Sequence, residues 1–331
     1  NTPRIPASNQ KIGTSSFALD QLGPDYKLKT ELYINDGIFF IIGQGDPDFT
    51  NEQLESLIDV LIKKHKTITN KKQIYIQIIE SEKNSWTSSS WSDFDKTQKY
   101  GAPITRLALL SNSSEASLES PTYEFIRRIK TIISRNGYTS KITISQKNSI
   151  KHTNQSSMLY SNSSAPMYAL LNLVNSESHN FTSEVIFRVA NNNWNLINTI
   201  PRYSKWTKYM GLSTSNEFSD ASGLSRKNRM TTKGITRFLR RMNYHRFSDY
   251  YFSSFSILGV RGTLSEIEYP QTLYGKFIGK SGTLNKVKSL SGILISNRKS
   301  TYVSIITNGI QDSMSYIITI LDLINKNSNC K

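Results

Sequence analysis

Residues 269–282, YPQTLYGKFIGKSG, decide the fold that we predict from the sequence. Gly279 and Gly282 bracket Lys280 and Ser281 in this stretch. Glycine permits a tight turn because it lacks the Cβ that restricts other residues. A helix that starts at such a turn directs its first N–H groups toward whatever lies in front of it. The stretch therefore predicts a strand followed by a loop that cradles a phosphate.

The patterns on both sides of this loop predict a small domain of mixed secondary structure. Residues 264–269 alternate apolar and polar side chains, as a half-buried strand does, and Pro270 ends that strand. The apolar residues of 283–290 have the spacing of a helix, and Gly292 ends this predicted helix. Two strands and a last helix then follow at 293–295, 301–306 and 310–325. The predicted order of elements is β-α-α-β-β-α.

This arrangement resembles the type I KH domain over residues 261–331. The resemblance rests on Pro270, on Gly275 five residues later, on the run FIGKSG at 277–282, on Gly292 before a strand, and on the apolar C-terminal helix. It implies a domain whose G-x-x-G loop clamps about four nucleotides of single-stranded RNA against a narrow groove.

The resemblance also implies which residues contact RNA. Gly279 and Gly282 would let the backbone approach the phosphates, Lys280 would supply positive charge, and Ser281 a hydroxyl donor. The other implied contacts are Gly275, Ile278, Leu284, Lys286, Ile295, Asn297 and Arg298. The alternative is structural: Ile278, Leu284 and Ile295 would be core residues, and the loop an ordinary turn with a solvated lysine.

A second candidate contact is the basic and aromatic segment at 201–260. Residues 202–209, RYSKWTKY, alternate cations with aromatic rings, which is typical of a surface on which bases stack. Residues 226–246 contain no acidic residue, and like charges repel unless an anion is near. The cations of this stretch are Arg226, Lys227, Arg229, Lys233, Arg237, Arg240, Arg241 and Arg246. We interpret them as RNA contacts; a solvated or protein-facing patch is the alternative.

Charge and composition restrict the class of protein. The chain has 331 residues and a net charge of +16, from 41 Lys+Arg against 25 Asp+Glu, which favours a polyanionic partner. The single cysteine, Cys330, excludes an internal disulfide or a cysteine metal site, and we predict no cofactor and no metal. We expect an intracellular protein, of the mitochondrion or of the cytoplasm and nucleus, without membrane insertion.

We predict an α/β (α+β) chain with four parts: a polar arm at 1–25, α/β structure of unknown topology with Ser/Asn-rich loops at 26–200, the basic-aromatic segment at 201–260, and the KH-like domain. A turn at 35–37 predicts a hairpin, and the capping box of Thr50 and Gln53 starts a helix that leads to a strand at 73–79. Further helices are predicted at 121–135 and 166–175, and a strand at 183–189. Trp86 and Trp91 either pin their loops or stack on bases.

Three functions are compatible with these patterns. The first is an RNA-binding protein that acts in RNA processing, splicing or translation. The second is a structural subunit of a large ribonucleoprotein, such as a mitochondrial ribosome, in which it would contact other ribonucleoprotein proteins. A viral nucleic-acid-packaging protein belongs to the same class. An enzyme, such as a nuclease, comes third because the four histidines are scattered and no nucleophile motif stands out. We therefore predict a protein that is not an enzyme.

Overall fold

The computed structural model describes residues 2–68, 73–113, 120–138, 142–147, 156–212, 217–296, 299–311 and 313–328. The chain divides into two compact units. Unit 1 comprises Asn1–Tyr26, Ser88–Ser92 and Pro166–Lys331, and unit 2 comprises Lys27–Thr87 and Asp93–Ala165. Each unit has its own β-sheet and its own helices, so the fold is of the mixed α+β class.

Unit 1 begins with a helix and continues after unit 2. Its helices are α1 (Gln10–Leu22), α5 (Met167–Asn175), α6 (Asn180–Asn191), α7 (Leu196–Tyr209), α8 (Thr232–Met242), α9 (Ser248–Ser253) and α10 (Met314–Ser328). Its strands are β6 (Ser256–Ile257), β7 (Phe277–Leu284), β8 (Val287–Ser296) and β9 (Lys299–Asn308). These four strands form an antiparallel sheet in the order β6-β7-β8-β9. Leu290 and Leu294 of β8 pack with Ile317 and Leu321 of α10 in its core.

Unit 2 is a five-stranded sheet against which helices pack. Its strands are β1 (Lys27–Asn35), β2 (Ile38–Gly43), β3 (Ile74–Ile79), β4 (Ile142–Lys147) and β5 (Ser157–Pro166), in the order β4-β3-β2-β1-β5. Its helices are α2 (Asn51–Ile68), α3 (Asp93–Thr97) and α4 (Pro121–Arg135). β1 and β2 are antiparallel, whereas β2, β3 and β4 are parallel. The apolar faces of α2 and α4 form one core with the sheet.

Local sequence signals explain most of unit 2. Asp36 and Gly37 both have positive φ in the turn between β1 and β2, as a tight hairpin requires. The Thr50 N–H donates to Gln53 Oε1 at 2.8 Å, and the Gln53 N–H donates to Thr50 Oγ1 at 3.3 Å, so the capping box forms. The predicted hairpin, the helix that starts at the capping box, the strand at 73–79 and the helix at 121–135 are confirmed.

Two tryptophans are buried and bonded to protein. The Trp86 indole N–H donates to the Ser81 carbonyl oxygen at 3.2 Å, within unit 2. The Trp91 indole N–H donates to Asp220 Oδ2 at 2.7 Å, within unit 1. Both side chains therefore pin their loops, and neither ring is available for stacking on a base.

The KH-like order predicted for residues 261–331 is wrong. Residues 264–269 form no strand, and residues 283–290, predicted as a helix, belong to the hairpin of β7 and β8. Gly279 of β7 pairs with Gly292 of β8, and a Cβ on Gly292 would lie 2.5 Å from the Gly279 Cα. The glycines thus permit close strand packing rather than a phosphate-binding turn. The helix that we predicted at 310–325 is confirmed as α10.

Two further predictions about unit 1 need correction. Residues 183–189, predicted as a strand, lie in α6. The N-terminal stretch, predicted as a polar arm, contains α1, in which Gln10 through Leu19 are all buried. No helix in the parts of the chain that the structure describes is long and apolar enough to cross a membrane.

Candidate active site

Ser8 and Lys11 lie one helical turn apart where α1 begins. A 3-10 turn, Ala7–Asn9, leads into the helix, and Ala7 has a φ of 49°, a left-handed conformation that is uncommon for residues with a Cβ. Strained backbone of this kind is concentrated at functional sites. Because Lys11 follows Ser8 by three residues, the two side chains share a face, and Lys11 Nζ lies 3.1 Å from Ser8 Oγ.

Lys11 is completely buried, and two of its hydrogen bonds go to neutral oxygens. Nζ donates to Asn180 Oδ1 and to the Ser222 carbonyl oxygen, each at 2.6 Å. Burial disfavours the charged amine and lowers the pKa of Lys11 to about 7, although Asp220 and Glu184 oppose this shift. Near neutral pH, a large fraction of Lys11 is therefore a neutral amine whose lone pair is free to accept the Ser8 hydroxyl proton.

Glu184 of α6 holds the backbone that contacts Lys11. Its Oε1 accepts hydrogen bonds from the backbone N–H groups of Ala221 and Ser222, both at 2.8 Å. Its Oε2 forms an ion pair with Arg188 at 2.5 Å, and both side chains of this pair are fully buried. Because the Ser222 N–H is fixed in this way, its carbonyl oxygen stays directed at Lys11.

Asp220 holds the backbone that follows Ser222. It accepts hydrogen bonds from the backbone N–H groups of Gly223 and Ser225 at 2.8 and 2.6 Å. Burial, together with the charge of Glu184, raises the pKa of Asp220. Gly223 has a φ of 87°, and a Cβ there would collide with the Ala7 carbonyl oxygen. Glycine thus lets this segment pack against the turn that carries Ser8.

Strand β7 supplies a second wall of the site through Lys280 and Ser281. Lys280 is completely buried, and its Nζ donates to the Ser281 carbonyl oxygen at 3.0 Å. Burial, reinforced by the charge of Lys11, lowers the pKa of Lys280 well below its usual range. Ser281 Oγ lies 2.8 Å from Thr263 Oγ1. The two hydroxyl groups are therefore hydrogen-bonded to each other.

The edge of β7 passes directly beside Ser8. A Cβ on Gly282 would lie 2.9 Å from the Ser8 backbone nitrogen and 3.0 Å from the Pro6 carbonyl oxygen, so this position requires glycine. β6 pairs only with Ile278 and Gly279, and no strand of the described chain pairs with the same edge beyond them. An unpaired strand edge of this kind can add an extended peptide through backbone hydrogen bonds.

Ser178 and Asn180 form the third wall, where α6 begins. Ser178 has a φ of 62°, and the His179 Nδ1 between them lies 2.7 Å from Thr182 Oγ1. A cleft of about 630 Å³ opens between the three walls. Its hydroxyl-bearing lining residues are Ser8, Ser178, Thr263, Ser281, Thr283 and Ser315. Across the described residues, no three side chains of the metal-binding types lie close enough to hold a metal ion.

The residues that we predicted to bind RNA are placed differently from the prediction. Ile278, Gly279, Lys280, Ser281, Gly282 and Leu284 all lie on β7. Gly275 precedes this strand, Lys286 lies in the turn after it, and Ile295 is half-exposed on β8. Asn297 and Arg298 lie outside the described residues. Because Lys280 is buried, it does not form the solvent-facing phosphate contact that we predicted.

The eight predicted cations do not form one contact surface. Arg226 donates to the Asn285 carbonyl oxygen at 3.0 Å, and Arg229 donates to the Arg226 carbonyl oxygen at 2.6 Å. Arg246 donates to the Asp20 carbonyl oxygen at 3.0 Å. Lys227 is exposed near Arg226. The cations that remain are exposed on α8: Lys233, Arg237, Arg240 and Arg241.

The comparison with known families shows which family the chain belongs to. A sequence model of the D-Ala-D-Ala carboxypeptidase 3 (S13) family matches residues 1–124 and 117–321. The chain belongs to this family. A search of curated proteins gives no match.

Solved structures of penicillin-binding and peptidoglycan-cleaving proteins share the fold. Penicillin binding protein 4 from Haemophilus influenzae has a TM-score of 0.78 at 18% identity, over 98% of this chain and 91% of that one. A predatory endopeptidase from Bdellovibrio bacteriovorus, solved with an immunity protein, has a TM-score of 0.62 at 17% identity, over 99% and 87%. A predatory peptidoglycan endopeptidase from the same organism has a TM-score of 0.56 at 21% identity, over 98% and 85%.

These findings correct the functional predictions. Membership of a peptidase family overturns the prediction that the chain is not an enzyme. It also overturns the KH domain, the RNA and ribonucleoprotein partners, and the proposed roles in RNA processing, in a ribosome or in viral packaging. The members of the S13 family are peptidases, and the described part of residues 261–331 does not have the order of elements of a KH domain.

Three short motifs would have led to this site from the sequence. Penicillin-binding proteins carry Ser-x-x-Lys, Ser-Asp-Asn and Lys-Thr-Gly motifs. This chain has Ser-x-x-Lys at 8–11, Ser-His-Asn at 178–180 and Lys-Ser-Gly at 280–282, in the same order. Histidine and serine replace the usual Asp and Thr at the middle positions of the last two motifs. The sequence prediction used only the last motif and assigned it to a phosphate loop.

Proposed function

We propose that this chain is a serine peptidase that cleaves the peptide bond after D-alanine in peptidoglycan stem peptides. One observation carries the proposal: Lys11 Nζ lies 3.1 Å from Ser8 Oγ, while its other bonds go to neutral oxygens. A nucleophile within hydrogen-bond reach of a base is the arrangement that acyl transfer needs. The family name and the peptidoglycan endopeptidase among the structural relatives support the substrate class.

The chemistry follows from the protonation state of Lys11. Ser8 Oγ attacks the carbonyl carbon of the D-alanine residue that precedes the scissile bond. The neutral Lys11 amine takes the hydroxyl proton. The tetrahedral intermediate collapses when the carbon–nitrogen bond breaks and the leaving amine gains a proton. We assign the delivery of that proton to Ser178, whose side chain lines the cleft. Ser178 then regains a proton from the charged Lys11, so that Lys11 is neutral again and both groups are restored. Water then hydrolyses the ester on Ser8 and regenerates the free hydroxyl.

The negative oxygen of the intermediate needs hydrogen-bond donors. The Ser8 backbone N–H lies next to β7, since a Cβ on Gly282 would be only 2.9 Å from that nitrogen. We infer that this N–H and a backbone N–H from the open edge of β7 stabilise the oxyanion. Removing one such donor typically slows an enzyme by about 10²–10³-fold.

The same strand edge is the best support for a peptide substrate. An extended stem peptide would add to the edge of β7 beyond Gly279, as a peptide adds to an unpaired strand. A C-terminal carboxylate would then approach the Ser281 hydroxyl, with the buried amine of Lys280 nearby. A carboxylate there would favour the charged form of Lys280 and raise its lowered pKa. Release of a terminal D-alanine and cleavage of a cross-link differ only in the leaving amine.

The test is hydrolysis of two defined substrates. A diacylated tripeptide that ends in D-Ala-D-Ala reports carboxypeptidase activity, and a purified cross-linked muropeptide dimer reports endopeptidase activity. We expect cleavage of at least one substrate, and a loss of about 10⁴-fold or more in Ser8→Ala. Ser204→Ala, an exposed serine on α7, is the matched control and should retain activity. Activity that persists in Ser8→Ala, or no cleavage of either substrate, would contradict the proposal.

A further inference from the structure

We propose that an exposed basic surface on α7 and α8 is a second site, separate from the cleft, that binds the carboxylate-rich peptidoglycan polymer. The identity of the polymer rests on the proposed function. None of the residues of this surface lines the cleft. The surface, called the basic face below, consists of Lys205, Lys208, Tyr209, Lys233, Arg237, Arg240 and Arg241.

Two side-chain contacts join α7 and α8, the helices that carry the basic face. In the interior, the rings of Trp206 and Phe238 lie with their centroids 5.9 Å apart. At the surface, the Arg241 guanidinium lies 4.8 Å from the centroid of the Tyr209 ring, as in a cation–π contact. One contact beneath the surface and one on it hold the two helices together. Their charged side chains therefore share a single surface.

Helical spacing aligns the charges into rows. On α8, Lys233, Arg237 and Arg241 follow one another at intervals of four residues, so they lie along one side of the helix. At 1.5 Å per residue, this row is about 12 Å long. On α7, Lys205 precedes Tyr209 by four residues, so the two residues lie on the same side of that helix, and Tyr209 contacts Arg241. The result is an extended track of charge rather than a point site.

Among the described residues, no acidic side chain forms an ion pair with the positive charges of the basic face. Neither α7 nor α8 contains an aspartate or glutamate, and none of the six cations joins an ion pair within the described chain. Arg246, just past α8, differs because it lies 3.5 Å from Asp20 Oδ1. Uncompensated like charges repel, so a polyanion that lies along the face lowers the electrostatic energy. The net charge of +16 over the whole chain also favours a polyanionic partner.

The chemistry of the face favours a carboxylate polymer over a bilayer. The apolar side of α8 is buried in unit 1 through Ile235, Phe238, Leu239 and Met242, so the helix has no apolar face left to insert into lipid. Arginine pairs with carboxylates through two parallel hydrogen bonds. Peptidoglycan stem peptides present carboxylates repeatedly along the polymer. A second attachment point would hold the enzyme on an insoluble substrate and raise the local concentration of stem peptides at the cleft.

The experiment measures co-sedimentation with purified insoluble peptidoglycan. Ser8→Ala protein is used throughout, so that the polymer is not digested. The test variant combines Lys205→Gln, Lys208→Gln and Lys233→Gln on the basic face. The control variant combines Lys63→Gln, Lys99→Gln and Lys130→Gln, which are exposed in unit 2 and remove the same total charge.

We expect the test variant to bind about tenfold more weakly at low salt, and the control variant to bind within about twofold of the parent. Binding of the parent should fall as salt is added. Equal binding by both variants, or equal loss in both, would overturn the inference. A second result would also overturn it: the test variant binds anionic phospholipid vesicles more weakly than the parent but binds peptidoglycan equally well. The basic face would then be a membrane site.

A parallel measurement separates this inference from the proposed function. Fluorescent penicillin labelling is measured on the same lysine variants with Ser8 intact. If the test variant is labelled normally and the same substitutions leave peptidoglycan binding unchanged, only the inference about the basic face is overturned. Absence of labelling in the wild-type chain would instead contradict the proposed function.

Discussion

Under the proposed function, a penicillin should acylate Ser8, and the rate of this acylation should follow the titration of Lys11. With a pKa of about 7, the neutral fraction of Lys11 is about 0.09 at pH 6, about 0.5 at pH 7 and about 0.91 at pH 8. The second-order rate constant should therefore rise about tenfold between pH 6 and pH 8 and level off above that. A lysine with its ordinary pKa would give a rise of about 100-fold over the same interval and no plateau.

The assay follows fluorescent penicillin incorporation at constant ionic strength, with correction for spontaneous hydrolysis of the reagent. Lys11→Arg keeps a positive charge but supplies no base, so labelling should slow by about 10³-fold and lose its midpoint near neutrality. Lys288→Gln alters another lysine of the cleft and should keep that midpoint. A rate constant that is flat from pH 6 to pH 8, or that climbs steadily to pH 10, would refute the role of Lys11.

Three further predictions concern single residues. Gly282→Ala should slow acylation by about 10²-fold, because the new methyl would lie 2.9 Å from the Ser8 nitrogen and displace the strand. Thr263→Val should raise KM for the D-Ala-D-Ala peptide by about tenfold, whereas Thr263→Ser should stay near wild type, because the hydroxyl 2.8 Å from Ser281 Oγ orients that serine. Burial raises the pKa of Asp46 to about 6. The folded chain therefore holds this proton more tightly than the unfolded chain does, and the free energy of unfolding falls as pH rises from about 4 to about 6. Asp46→Asn should therefore increase the free energy of unfolding at pH 7.5 by at most about 3 kcal/mol and leave it nearly unchanged at pH 4, measured by urea denaturation.

Each of these predictions has a contradicting result. Gly282→Ala with the acylation rate of the wild type would show that β7 does not need to approach Ser8 so closely. Equal KM values for Thr263→Val and Thr263→Ser would remove the hydroxyl from substrate binding. A stability gain from Asp46→Asn that is the same at pH 4 and pH 7.5 would show that the carboxyl does not titrate with a raised pKa.

Local signals in the sequence predicted much of unit 2. The turn at 35–37, the capping box of Thr50 and Gln53, and the apolar spacing of α4 each depend on residues close together in the chain. Such elements form where propensity, turn chemistry and periodicity agree. The same holds for α10 in unit 1, whose apolar residues repeat at helical spacing.

The candidate site could not be predicted in this way because its buried face is polar. Lys11 and Thr14 of α1 are buried, yet they bond to Asn180, Ser222 and Ala221, more than 160 residues away in sequence. A helix that buries amines and hydroxyls shows no apolar stripe, so its sequence is typical of a solvated segment. The contacts that give these residues their role appear only once the chain has folded.

The prediction that the glycines at 279–282 form a turn around a phosphate is wrong, because both glycines lie on β7. Gly282 faces the turn of Ser8, and Gly279 faces β8, so both glycines serve protein packing. The net charge of the chain favoured a polyanionic partner, and the RNA that we assigned to it is overturned by family membership. The spacing of the two glycines and the net charge did not identify the peptidase family, whereas the family model and the three short motifs did.

The most direct measurement is the mass of the intact protein after reaction with a penicillin, followed by peptide mapping of the adduct. We predict one covalent adduct per chain on the peptide that contains Ser8, absent in Ser8→Ala and formed far more slowly in Lys11→Arg. Absence of an adduct, or an adduct on any residue other than Ser8, would contradict the assignment of Ser8 and Lys11 as nucleophile and base.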